Sequence, residues 1–211
     1  MLFRRVRLGS SAALAAVASL LVADAALAHH VMGGRTPSTF MEGLLSGLGH
    51  PIIGVDHAAF LVAIGLVVGV GGLNLLMPVI FVVASAIGVA LHVRGIGLPG
   101  AEILVAASVI IVGAVIARKA ALAPTVWGSF FAMAGLFHGY AYGESIFGAE
   151  RTPLIAYLVG LVIVQIVLAI GIALVSRRVV AGATGTLAPR LTGAVVVGIG
   201  LAVLAQHLVS A

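Results

Sequence analysis

Six long apolar runs constrain the fold of this chain more than any other feature of its sequence. They lie near residues 51–71, 73–93, 101–117, 121–142, 153–176 and 190–209. Each run is close to the roughly 20 residues that an α-helix needs to cross a bilayer core of about 30 Å. A transmembrane barrel would instead show strands in which apolar and polar residues alternate. The pattern therefore predicts an all-α integral membrane protein, a compact bundle of six transmembrane helices.

The composition excludes the other broad classes of protein. Apolar residues make up 62% of the chain and charged residues only 8%, whereas a typical soluble domain has about 25% charged residues. Disordered chains are poor in apolar residues, so disorder is excluded as well. The net charge of +5 comes from basic residues scattered among apolar runs, which is typical of membrane orientation rather than nucleic-acid binding. The absence of cysteine excludes disulfides, thiolate metal ligands and cysteine catalysis.

The first 28 residues are predicted to form a secretory signal peptide. Three arginines near the start precede an apolar stretch at 11–23, which is too short to span a bilayer. Ala26-Leu27-Ala28 has the small-x-small pattern of a cleavage site. An uncleaved N-terminal span is the alternative interpretation. Cleavage would leave residues 29–211 as a single six-span transmembrane domain that begins with His29 and His30.

Two independent features predict the same orientation of the bundle. A cleaved signal peptide places the mature N-terminus outside the cytoplasm, and the loops then alternate between the two sides. The segments assigned to the inside hold more basic residues than those outside, as expected. The inside set is Arg118, Lys119, Arg177, Arg178 and Arg190. We therefore expect a multi-pass protein of the bacterial inner (plasma) membrane whose N-terminus and C-terminus are both periplasmic.

Ionisable residues cluster toward the outer side of this topology. His50 opens the first span, and His138 lies about one turn from the outer end of the fourth. Asp56 and His57 lie within a strongly apolar run, where an ionisable side chain is costly and usually functional. Glu144 follows a glycine at which the fourth helix is predicted to end, which would let its carboxylate turn inward. A structural Asp–His pair that bridges helices is the alternative.

The spacing of these residues suggests a metal site. His50 and His57 are seven residues apart, so a regular helix would place them on one face, although Pro51 can disturb that register. Asp56 either joins the ligand set or orients an imidazole. Imidazole and carboxylate donors without thiolate suit a borderline divalent metal such as nickel, cobalt or zinc. The histidines near span ends, His92 and His207, are interpreted as interfacial residues.

Two segments of the chain resemble the signature motifs of a known family. Residues 50–57 read H-P-x-x-G-x-D-H, and residues 137–144 read F-H-G-x-A-x-G-E. Together they resemble the two signature segments of the HupE/UreJ family of nickel-permease-like membrane proteins, which often accompany nickel hydrogenases or ureases. The signal peptide, the N-terminal histidines and the six spans are similar to that family too, so the resemblance extends over the whole chain.

The resemblance implies a membrane permease that takes up nickel, or cobalt in some relatives, for hydrogenase or urease maturation. No enzyme activity and no prosthetic group are expected, because the metal is the transported substrate. The predicted partners are the lipid bilayer and the divalent metal ion, without nucleic acid, and a homo-oligomer is left open. The residues to which metal binding is assigned are His50, Asp56, His57, His138, Glu144, His29 and His30. The last two match the family's N-terminal histidine by position only, and a flexible tail is their alternative role.

Three alternatives belong to other functional classes. The first is a membrane metal-binding accessory or sensor protein that does not transport. The second is an intramembrane metal hydrolase, although the chain has no H-E-x-x-H motif. The third is a haem-binding electron carrier. The chain also lacks the G-x-x-x-x-G-K-[ST] motif of nucleotide hydrolysis, and the inner halves of its spans carry few polar ligands.

Overall fold

The computed structural model describes residues 35–182 and 187–210, which form seven α-helices and no β-strand. The helices are α1 (Phe40–Ile53), α2 (Val55–Val70), α3 (Met77–Val93), α4 (Ala101–Arg118), α5 (Pro124–Glu144), α6 (Arg151–Gly182) and α7 (Leu187–Ser210). The prediction of an all-α fold is confirmed for this part of the chain. The predicted signal peptide, His29 and His30 lie outside the described residues.

Length and apolarity identify fewer spans than the six predicted. Among the described helices, α4, α6 and α7 are long and apolar enough to cross a membrane, and α1 and α2 qualify together as one bent span. Helix α3 is apolar but has only 17 residues. Helix α5 has 21 residues, but its glycine, tyrosine and histidine residues lower its mean hydropathy. This criterion therefore supports three or four spans.

The first predicted span, near 51–71, corresponds to α2, and α1 precedes it and meets it at a sharp bend. Helix α1 continues through His50 and Pro51, and the break falls at Gly54, where the backbone is extended (φ −67°, ψ 106°). The axes of α1 and α2 are bent by 75°. The expectation that His50 and His57 share one face of a regular helix is therefore wrong, because they lie on different helices. Proline weakens the last turn of α1, but the extended glycine is what ends it.

Charged residues divide the bundle into two halves. The half in which α4 and α6 begin holds the acidic residues of the described part, namely Glu42, Asp56, Glu102, Glu144 and Glu150. The opposite half holds Arg118, Lys119, Arg177, Arg178 and Arg190, with no acidic residue in the described ranges. We call these the acidic half and the basic half.

Close packing at glycines sets the positions of neighbouring helices in the bundle. A Cβ added to Gly139 would lie 2.0 Å from the carbonyl oxygen of Ser85, so α5 packs with its backbone directly against α3. A Cβ on Gly65 would lie 2.6 Å from the side chain of Ile172 and 2.9 Å from the carbonyl oxygen of Ala169, so α2 also packs closely on α6. Without a side chain at these positions, helix backbones approach closely, as is common in membrane bundles.

An aromatic layer fills the core between the two halves. Phe60, Phe81 and Phe131 are fully buried, and the ring centroids of the first two are 5.3 Å apart. Trp127 packs against Phe131 with 5.6 Å between ring centroids. On the far side of this layer, a largely apolar cavity of about 310 Å³ opens in the basic half, with Trp127 and Lys119 in its wall.

Candidate metal site

A small cavity in the acidic half brings most of the predicted site residues together. Its volume is about 30 Å³, and its walls come from α1, α2, α4, α5 and α7. The lining residues are His50, Asp56, His57, Glu102, Val105, Ala141, Glu144 and His207. Of the predicted residues that the structure describes, only His138 does not line the cavity. It lies behind His57, with the two ring centroids 5.0 Å apart.

The break between α1 and α2 directs two motif residues into this cavity. Asp56 and His57 lie in the first turn of α2, which begins inside the bundle, and they are only 4% and 2% exposed. The Asp56 carboxylate accepts a hydrogen bond from the backbone N–H of His57 at 2.8 Å. The positive end of the α2 dipole also favours a carboxylate at this place. Broken helices of this kind form ion and substrate sites in many membrane transporters.

Hydroxyl groups from α6 and the end of α5 hold His50. Its Nδ1 lies 2.9 Å from the hydroxyl oxygen of Tyr157 and 3.0 Å from that of Ser145. Helix α1 reaches α6 here because Gly47 has no side chain, and a Cβ would lie 2.1 Å from the Tyr157 carbonyl oxygen. Sequence reasoning missed both hydroxyls. The available signal was a lone tyrosine in an apolar run and a serine directly after the second motif.

A second set of hydrogen bonds joins three helices through His138. The Nδ1 atoms of His57 and His138 are 2.8 Å apart, and His138 Nε2 lies 2.9 Å from the hydroxyl oxygen of Ser108. The ring of Tyr142 packs over His57 with 4.2 Å between centroids. His138 is fully buried and contacts Phe60 of the aromatic layer at a centroid distance of 4.4 Å. His138 therefore closes the site on its inner side.

The mouth of the cavity contains two ionisable residues that sequence reasoning did not assign to the site. His207 Nδ1 lies 2.9 Å from a carboxylate oxygen of Glu102, and the two side chains are 21% and 57% exposed. His207 was interpreted as interfacial, but the packing of α7 on α4 brings it to the cavity.

Glu144 is the last residue of α5. It is exposed and also lines the cavity, so its carboxylate lies at the mouth. His92 is half-buried and packs on Tyr140 outside the cavity lining.

The residues suit a divalent cation by donor type but do not converge on one point. Within residues 35–182 and 187–210, no group of three or more His, Cys, Asp or Glu side chains is placed to hold a metal ion. The cavity of about 30 Å³ has room for about two water molecules, far fewer than the roughly six that surround a hydrated divalent cation. A cation would therefore lose most of its water to enter, and the nitrogen and oxygen donors would have to move toward it. Such donors suit nickel, cobalt or zinc.

Similarity to known proteins identifies the family. A family model described as "HupE / UreJ protein" matches residues 16–203. The chain belongs to the HupE/UreJ family. Protein HupE of Rhizobium leguminosarum bv. viciae is 31% identical over 166 residues, which cover 77% of this chain and 85% of that protein. No solved structure matches the chain.

Membership of the HupE/UreJ family confirms the resemblance drawn from the two motifs, because both lie inside the matched residues 16–203. Together with several apolar helices, it makes this HupE/UreJ protein a multi-pass membrane protein in contact with lipid.

Proposed function

We propose that this HupE/UreJ protein is a permease that takes up nickel, and secondarily cobalt, to supply hydrogenase or urease maturation. The observation that carries the proposal is the buried cavity at the helix break, where His50, Asp56 and His57 are exposed to one small space. Ionisable side chains inside a membrane bundle are costly and commonly mark ion pathways. The HupE/UreJ family is associated with nickel and cobalt uptake for these two enzymes.

We propose that the acidic half faces the periplasm of a bacterial inner membrane. The basic half carries five basic side chains, and cytoplasmic ends of membrane helices are enriched in such residues. In this arrangement α1 and α2 form one broken crossing, and each later helix crosses once, which gives six. Residues 1–28 would be a cleaved signal peptide, residues 29–211 the transmembrane domain, and both mature termini periplasmic.

Capture would begin at the mouth of the cavity. Glu102 and Glu144 are exposed carboxylates that attract a cation from the periplasm. The N-terminal histidines, His29 and His30, would raise its local concentration. Deeper in the cavity, the imidazole and carboxylate groups of the first motif would then replace water on the ion.

Passage beyond the site would require movement of the aromatic layer. Phe60 and Phe131 are fully buried, and no carboxylate or imidazole lines the apolar cavity of the basic half. Lys119 in the wall of that cavity repels a cation, so the cavity suits release better than binding. The buried aromatic layer also favours the second candidate function, a membrane accessory or sensor that binds the metal without transporting it.

Uptake of radioactive nickel into a host without its own nickel transporters distinguishes the two functions. Cells that produce the protein should accumulate nickel, and His57→Ala or His138→Ala should reduce this to the background level. His92→Ala is the matched control, because that histidine packs outside the cavity lining. The same assay with cobalt and zinc ranks the metals. Metal binding by purified protein without cellular uptake would contradict the permease and support the accessory protein.

A further inference from the structure

The direction of a buried hydrogen-bond chain follows from Ser108. Its hydroxyl oxygen lies 2.7 Å from the carbonyl oxygen of Val105, and the hydroxyl must donate there because a carbonyl only accepts. A hydroxyl has one proton, so the same oxygen accepts from His138 Nε2 at 2.9 Å. His138 therefore carries a proton on Nε2, and because full burial disfavours a charged imidazolium, the ring bears its lone pair on Nδ1.

The next link in the chain is the contact between the two histidines. Two ring nitrogens that are 2.8 Å apart share one proton, which one of them must donate. Because the lone pair of His138 lies on Nδ1, His57 is the donor through its own Nδ1–H. Because Nδ1 carries this proton, Nε2 is the ring nitrogen through which His57 could bind a metal.

The same logic applies on the opposite side of the cavity. The Tyr157 hydroxyl donates to the carbonyl oxygen of Tyr142 at 2.8 Å. Having used its one proton, this hydroxyl accepts from Nδ1 of His50 at 2.9 Å. Nε2 is therefore also the ring nitrogen through which His50 could bind a metal.

The three histidines differ in their relation to the cavity. His50 and His57 line it, whereas His138 is fully buried behind His57 and does not. Between the His57 ring and the aromatic layer, His138 contacts Phe60 and Phe81 at centroid distances of 4.4 and 5.6 Å. The Nδ1 lone pair of His138 is directed at the His57 N–H.

We propose that His138 is a positioning residue and not a metal ligand. It accepts the Nδ1–H of His57 in a chain that starts at Val105 and Ser108, so that His57, like His50, offers Nε2 to the cation. The metal-binding part of this inference rests on the proposed function, whereas the proton positions do not. A hydrogen-bond acceptor behind a ligating histidine raises the basicity of the nitrogen that binds the metal. Loss of such an acceptor typically lowers metal affinity about 10- to 100-fold.

Nitrogen NMR of metal-free protein in lipid bilayers tests the proton positions directly. With ¹⁵N-labelled histidine, the spectrum should show His57 protonated at Nδ1 and His138 at Nε2. His57→Gln and His138→Gln assign the two signals. Ser108→Ala should give both tautomers of His138, while Ser108→Thr, which keeps the hydroxyl, should retain one. Wild-type protein with His138 protonated at Nδ1, or Ser108→Ala with an unchanged spectrum, would overturn the chain.

X-ray absorption of nickel-loaded protein tests the ligand assignment. The number of imidazoles around nickel should fall by one in His57→Gln and stay the same in His138→Gln, with weaker binding in both. Loss of one imidazole in each variant would overturn the positioning role of His138. Because the NMR measurement needs no metal, protein with the expected tautomers but no nickel uptake would contradict the proposed function alone.

Discussion

Replacement of Gly54 by alanine should damage the site without straining the backbone. The backbone angles at Gly54 (φ −67°, ψ 106°) are accessible to any L-residue, so its conformation does not require glycine. A Cβ there, however, would lie 2.7 Å from Cδ2 of His57 and 3.3 Å from the carbonyl oxygen of His50. Since both neighbours belong to the cavity wall, the added methyl group acts on the site itself.

The size of the effect follows from the contact distances. Ordinary van der Waals contact begins near 3.4 Å, so the His57 ring must retreat by about 0.7 Å. A shift of that size is large against the 2.8 Å between Nδ1 of His57 and Nδ1 of His138, so it disturbs this hydrogen bond whichever way the ring moves. We expect about 1–3 kcal/mol of destabilisation from overpacking. If the ring loses its acceptor, the apparent KM for nickel should rise about 10- to 100-fold.

The assay is initial nickel uptake as a function of external nickel, normalised to the amount of protein in the membrane. Gly171→Ala is the matched control, because that glycine lies within α6 and a Cβ there meets no atom within 4 Å. It should transport normally, since alanine favours a helix over glycine. If Gly54→Ala kept the KM of wild type, the tight contact with His57 would have no role in the site.

Three further predictions concern the Tyr157 hydroxyl, the carboxylate of Glu102 at the mouth of the cavity, and the dependence of uptake on external pH. Tyr157→Phe removes one of the two hydroxyl acceptors of buried His50 and leaves Ser145, so it should cost about 0.5–1.5 kcal/mol and raise the nickel Kd about 2- to 10-fold. Titration of the purified protein with nickel measures the Kd, and an unchanged Kd would contradict this prediction. Glu102→Gln removes an exposed charge from the mouth, so uptake at low nickel should fall a few-fold at low salt and much less at high salt. An equal loss at both salt concentrations would exclude electrostatic capture. Uptake at constant nickel should decrease as the external pH falls through about 6, because protonated histidine cannot bind a metal, whereas a rise would contradict imidazole ligation.

Most of the helices and part of the site could be predicted from the sequence alone. The predicted span 101–117 is α4 almost to the residue, and 73–93 contains α3. Apolar runs locate such helices because their burial, in lipid or in the bundle, depends on local composition. Asp56 and His57 were identified because ionisable side chains within an apolar run are costly and are usually functional.

The position of the break between α1 and α2 could not be predicted from the local sequence. Pro51 was expected to disturb the helix between His50 and His57, whereas α1 continues through Pro51 and the break falls at Gly54. Glycine and proline both mark places where a helix can end. Which one is used depends on how the two helix segments pack on α6, and that packing involves residues about a hundred positions away, such as Tyr157.

The sequence by itself determined an all-α membrane protein, its family and the motif residues that approach one another. Only the tertiary structure decided which residues complete the site. Ser108, Tyr157, Glu102 and His207 reach it from three other helices, and their local sequence does not show that they meet at this cavity. The physical reason is that hydropathy depends on each residue and its near neighbours, whereas a contact across helices depends on how each helix is rotated and how closely it packs. The close packing at Gly47 and Gly139 sets that geometry in this bundle.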